Sequence, residues 1–212
     1  MKKALKRIGI AIVLILVLLI ATPFLFQSQI KDMIKNFINE NVNAKVEFAD
    51  VNLSLLKNFP QATITIDDLS IVNYAPFEND TLFKAKTIGL ELSVKELFKT
   101  QDEEPIIVNS IEVDNSELKL IINTNNEVNY DIAKASEDEE ESSNSSGFTF
   151  SLEDYSISNS QISYLDESSK TLFSLIDFNH SGNGTFSTEN SELDTKTESL
   201  VSLSIDSSQY LN

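Results

Sequence analysis

Apolar side chains divide the chain into a helical beginning and a long remainder with a period of two. From Ile8 to Phe26, fourteen of nineteen residues are Ile, Val, Leu or Phe, and no charge occurs between Ile8 and Ile30. At about −0.3 to −0.6 kcal/mol each, these side chains favour membrane insertion by roughly 4–8 kcal/mol. Nineteen helical residues span about 28 Å, close to a hydrocarbon core. The run is longer than a signal-peptide core, and Ala21-Thr22-Pro23-Phe24 makes a poor cleavage site. A retained transmembrane helix over 8–27 is therefore expected, anchored by Ile8, Ile12, Leu16, Leu19, Phe24 and Phe26. Lys2, Lys3, Lys6 and Arg7 make residues 1–7 a basic N-terminus. Such a flank stays on the cytoplasmic side, so everything after Phe26 is expected to cross.

Beyond the span, Ile30, Met33, Ile34, Phe37, Ile38 and Val42 fall at helical spacing, opposite Lys31, Asp32, Lys35, Asn36 and Glu40. This predicts an amphipathic helix over 28–43 that continues from the membrane and packs on a core. From Ala44 the pattern changes to strict alternation. Ile64 and Ile66 alternate with Thr63, Thr65 and Asp67, and Ile88, Leu90, Leu92 and Val94 with Gly89, Glu91 and Ser93. Leu118, Leu120 and Ile122 alternate with Lys119 and Ile121. One apolar and one mostly wet face predict an antiparallel sheet with one covered side.

A weak internal repeat aligns Ile111–Leu120 with Tyr155–Tyr164, 44 residues on. In both copies the apolar phase slips by an odd step, from Val113 to Leu118 and from Ile157 to Ile162. An odd step changes the face, so a turn or bulge is expected at Asn115-Ser116 and Asn159-Ser160. Residues 44–135 form the main β region. Residues 136–147 have no apolar side chain and are expected to be a solvated acidic, Ser-rich linker. Residues 148–212 continue as a further β repeat, with Gly182 to Gly184 read as a hairpin tip and His180 as an exposed turn residue. The alternation runs to Tyr210, as in a repeating architecture that extends into a longer protein.

Charge and composition narrow the function classes. After the first seven residues, 12 basic side chains face 33 acidic ones, a net of −21. Such a surface repels nucleic acid, which is excluded as a partner. There is no cysteine, hence no disulfide, thiolate metal site or cysteine nucleophile. The lone His180 has no Gly-x-Ser-x-Gly elbow to serve, and neither a P-loop nor a dinucleotide fingerprint is present. The acidic run lacks the alternating ligands and glycine turn of a calcium loop. No enzyme activity, cofactor or metal is expected.

The order of elements resembles the AsmA family of bacterial envelope proteins over about residues 1–135. A basic flank, a membrane span and an amphipathic helix are followed by Val51-Asn-Leu-Ser-Leu-Leu-Lys-Asn-Phe-Pro60, then Ile66–Phe77, then Leu82–Leu90 leading to Val94-Lys-Glu-Leu-Phe98. Asn126-Glu-Val-Asn-Tyr130 stands where that family often has Gly-x-x-Asn-Trp. The resemblance implies an extended, curved sheet forming an open apolar groove, rooted in the inner membrane with the bulk of the chain periplasmic. It also implies phospholipid as the partner, in support of outer-membrane biogenesis and lipid homeostasis. Ile64, Ile66, Ile88, Leu90, Leu92, Leu118, Leu120 and Ile122 would then line the groove. The alternative for the same residues is the closed core of a sandwich. An anchored scaffold for outer-membrane proteins, pairing through its sheet edges with an envelope protein, is the competing function.

Overall fold

The two apolar periods become one helix and one sheet in the computed structural model, which describes residues 2–99, 106–134, 148–185 and 192–211. The linker expected at 136–147 lies outside them. The helix, α1 (Lys2–Asn41), is forty residues long, about 60 Å, and runs without a break from the apolar run into the amphipathic segment. Among the described residues, no helix is long and apolar enough to cross a membrane. Of the expected anchor residues, only Ile8 has a described side chain, and it is exposed. Those of Ile12, Leu16, Leu19, Phe24 and Phe26 lie outside the description.

The strands are β1 (Ala44–Glu47), β2 (Asp50–Asn58), β3 (Gln61–Asn73), β4 (Thr81–Ser93), β5 (Ile106–Ile122), β6 (Phe148–Asp166), β7 (Thr171–Thr185), β8 (Glu192–Ile205) and β9 (Ser208–Leu211). They form a single curved, open sheet in chain order. β1 and β2 lie end to end along the same edge of β3. Seven strand spacings from that edge to β9 make the sheet about 34 Å across.

Two expectations are corrected. The sheet is not wholly antiparallel, because β5 and β6 run parallel. Their register places Ile111 beside Tyr155, Val113 beside Ile157 and Leu118 beside Ile162. The two copies of the repeat therefore lie side by side, each residue against its counterpart 44 positions on. Residues 123–147 between the strands are long enough for the crossover that parallel pairing requires. Nor is Gly182–Gly184 a hairpin tip, since both glycines and His180 lie within β7. Gly182 is needed there for another reason. A Cβ at this position would meet the Tyr155 ring at 2.6 Å, so only glycine lets that ring lie across the strand.

The phase slips take the form expected of them. Asn115 and Asn159 have φ of 53° and 51°, and Asp68 on β3 and Asp177 on β7 adopt the same left-handed conformation. Asp and Asn tolerate this region because their short side chains bond locally. Asn159 Nδ2 donates to Asp114 Oδ1 at 2.7 Å, and Asn179 Oδ1 accepts from Asn159 N at 3.0 Å. The four residues lie on one line across the sheet, a transverse crease. At the crease Leu69, Ala85, Ser116, Ser160 and Phe178 are paired neighbours, with Ser116 Oγ donating to Ser160 Oγ at 2.8 Å. On β3 to β7 the step across the crease is an odd five residues, as from Ile66 to Ile71 and from Val113 to Leu118, so the apolar side chains return to the same face beyond it. β8 keeps its phase, with Thr197 and Val201 four apart.

The C-terminal part of α1 covers one end of that face. Ile30, Met33 and Ile34 are buried, with Phe37 and Ile38 packed beside them, against Val51, Leu53, Ile64, Ile66, Leu90 and Leu92. Gln27 Nε2 donates to Val51 O at 3.0 Å, and Lys31 Nζ lies 5.9 Å from the Phe48 ring centroid. The end of the helix is tied down by the loop after β5. Asn43 N donates to Ile132 O, Lys134 N to Asn41 O, and Lys134 Nζ to Asn39 O.

Candidate functional site: an apolar trough

Rows of directly paired residues cross the sheet on the helix side and define the site. Above the crease one row runs Val51, Ile66, Ile88, Val113, Ile157, His180, Thr197, and the next runs Leu53, Ile64, Leu90, Ile111, Tyr155, Gly182, Thr195. Below the crease the row Val46, Ile71, Phe83, Leu118, Ile162, Leu175, Val201 is apolar over seven strands. Beside it lie Leu120, Tyr164, Phe173 and Leu203.

The covered end is packed shut. Ile64 is 1% and Leu92 0% exposed. The gap between α1 and this end, lined by Ile30, Met33, Ile64, Leu97 and Ile106, holds about 10 Å³. That is room for roughly one water and none for an acyl chain. Four of the eight residues expected to line a groove, Ile64, Ile66, Leu90 and Leu92, are therefore core beneath the helix. Ile88, Leu118, Leu120 and Ile122 are half-buried on the same face where the cover thins. Val113, Ile157, Ile162, Phe173, Leu175 and Val201 continue the trough and were missed in the sequence. The signal that could have found Ile157 and Ile162 was the repeat itself, which pairs them with Val113 and Leu118.

The short 3-10 turn Val94–Phe98 closes the covered end through Leu97 and Glu96, both buried. Burial pushes the Glu96 carboxyl up. Lys99 Nζ at 2.7 Å, the Ile107 N–H at 3.0 Å and the charge of Lys95 outweigh that and hold it below the usual carboxylate range. The outer face carries paired charges. Lys84 and Lys119 hold the half-buried Glu117 carboxyl below its ordinary value, at 2.5 and 2.9 Å.

Asn129, within the Asn-Glu-Val-Asn-Tyr segment, is 1% exposed and acts as a substitute strand. Its Oδ1 accepts from Ile121 N and its Nδ2 donates to Lys119 O, both at 2.8 Å. β5 is not paired with β4 at these two residues, so the amide satisfies a backbone edge that would otherwise be open. Asn73 Nδ2 donates in turn to Asn129 O at 2.6 Å. Chemically, Asn129 is a clamp.

His180 is half-buried rather than exposed. Its Nε2 lies 2.8 Å from Tyr155 Oη and its Nδ1 2.7 Å from Thr197 Oγ1, with the Phe178 ring stacked at 5.9 Å. Among the described residues, no group of three or more His, Asp or Glu side chains is placed to hold a metal.

The sequence model of the AsmA family matches residues 1–199. No curated protein and no solved structure matches the chain.

Proposed function

The chain belongs to the AsmA family, and from that premise we propose that it is a non-enzymatic, membrane-anchored protein that handles phospholipid along the uncovered part of its trough. Membership supports an envelope-associated role in general. The observation that carries the finer reading is the seven-strand apolar row from Val46 to Val201, which no element covers at its β6–β8 end among the described residues.

Exposing two acyl chains, about thirty methylenes at ~0.8 kcal/mol each, costs on the order of 20 kcal/mol. A lane of half-buried Ile, Leu and Phe lowers that barrier while the head of the lipid stays wet. The charge-free run from Ile8 and its basic flank supply the anchor, with the N-terminus cytoplasmic and the sheet periplasmic, at the inner membrane. In this role the protein supports outer-membrane biogenesis and lipid homeostasis.

A photo-crosslinking residue placed at Leu118 or Leu175 in the full chain, in cells, is expected to yield phospholipid adducts by mass spectrometry. The same residue at Ile64 should yield none. Adducts absent from both open positions would overturn the reading. Carbonate extraction checks the anchor, since the full chain should stay in the membrane pellet and a chain lacking 8–26 should not.

A second reading, a scaffold that pairs with strands of envelope proteins, is favoured by one observation. β9 covers only Leu203–Ile205 of β8, and the rest of that edge has no strand partner among the described residues. A stable protein partner on pull-down, without copurified lipid, would select it.

A further inference from the structure

Upper and lower rows of the trough part company at β7. The lower row remains apolar to Val201, whereas the upper rows end in Tyr155, His180, Thr195 and Thr197. These polar residues sit on the same face as the apolar lane, because Ile157 pairs with His180 and His180 with Thr197. Resting on the phospholipid reading above, we propose that this shoulder is a headgroup site. A diacyl lipid lies side-on across the open trough, its phosphate or glycerol-ester oxygens at Tyr155–His180–Thr197 and its tails on the lane of Leu175 and Val201.

Three features of the shoulder fit an acceptor oxygen. A neutral imidazole offers one donor and one acceptor nitrogen. When Tyr155 donates to Nε2, Nδ1–H donates to Thr197 Oγ1, and the exposed Thr197 keeps its own hydroxyl proton for an incoming oxygen. Phosphate and ester oxygens are acceptors, so this proton is the one they need. Second, Gly182 leaves the Tyr155 ring lying over the strand, which brings its hydroxyl to His180. Third, Lys196 lies between Thr195 and Thr197, so it points to the other face, where it pairs with Glu198 at 2.9 Å. The shoulder thus recognises by hydrogen bonding rather than by a cation.

The spacing also suits a lipid. Thr197 and Val201 are four residues apart on β8, about 13 Å along an extended strand. Half a hydrocarbon core is about 15 Å, so a head at Thr197 sets its tails on the lower lane.

The test uses the full chain in vesicles of phosphatidylethanolamine and phosphatidylglycerol doped with one of two photoactivatable phosphatidylethanolamines, labelled in the head or in the tail. The head label is expected to modify the peptides carrying Tyr155 and Thr197, and the tail label those carrying Leu175 and Val201. Thr197→Val and Tyr155→Phe, each checked by circular dichroism for an intact sheet, should cut head labelling at the shoulder at least fivefold and leave tail labelling unchanged. Head and tail labels scattered equally over both rows would overturn the side-on site while leaving lipid handling in place. Unchanged head labelling in both variants would overturn it as well. No labelling by either probe would sink the lipid reading and this site with it.

Discussion

Beneath α1, the paired residues Leu53, Ile64 and Leu90 are all less than a tenth exposed, whereas the same row runs on through the half-buried Tyr155 and over Gly182 to the exposed Thr195. Alternation continues through both regions. What differs is the partner layer. Where the helix lies on the sheet, aliphatic side chains become a dry core. Where it does not, the surviving apolar row is half-exposed and its polar neighbours reach the same face. A contiguous exposed apolar lane marks an interaction surface. Burial therefore concentrates the packed core at one end of the sheet and leaves the exposed apolar surface at the other.

The largest test of that division is truncation. Leu92→Ala, at a fully buried site, should cost about 2–5 kcal/mol in urea unfolding, and Val201→Ala, 40% exposed, less than about 1 kcal/mol. Equal losses would break the comparison. Next, Glu96→Ala removes the acceptor of the Ile107 N–H and should cost about 1–3 kcal/mol. Its carboxyl is held low, so the stabilisation is present above the ordinary value of 4.5 and is lost as pH falls through the folded value. An acid titration of unfolding should lose that phase in the variant.

On the open side, Gly182→Ala drives a methyl group into the Tyr155 ring and should cost about 1–3 kcal/mol. Combined with Tyr155→Ala, most of that cost should vanish in a double-mutant cycle. The smallest effect sharpens the comparison from the other direction. A β-branched residue at φ near 50° costs roughly 1–2 kcal/mol locally. Asp68→Val, on a strand that runs beneath the helix although its own side chain is exposed, and Asn159→Val on the open side should therefore lose similar amounts, with the glycine variants near neutral.

Much of this was legible from spacing. The helix face of Ile30, Met33, Ile34, Phe37 and Ile38 followed from period 3.6, and the bulges at Asn115 and Asn159 from the odd apolar step. The parallel pairing of β5 and β6 was not, because alternation sets which face a residue occupies and says nothing of strand direction. The repeat held the clue, since two like segments can stack in register. His180 and Gly182 read as a turn because Asn, Ser and Gly dominate locally. The Tyr155 ring that requires Gly182 comes from another strand, 27 residues earlier. Ile64 and Leu120 carry the same pattern, yet one is core and the other half-open, because cover is decided by where α1 ends.

A sheet of paper folded once resists rolling across the fold. The line of left-handed residues Asp68, Asn115, Asn159 and Asp177 puts such a fold into this protein, at one latitude of β3, β5, β6 and β7. In the open half no second layer lies on the apolar face among the described residues, so the bend there is written into the backbone rather than pressed on it by packing.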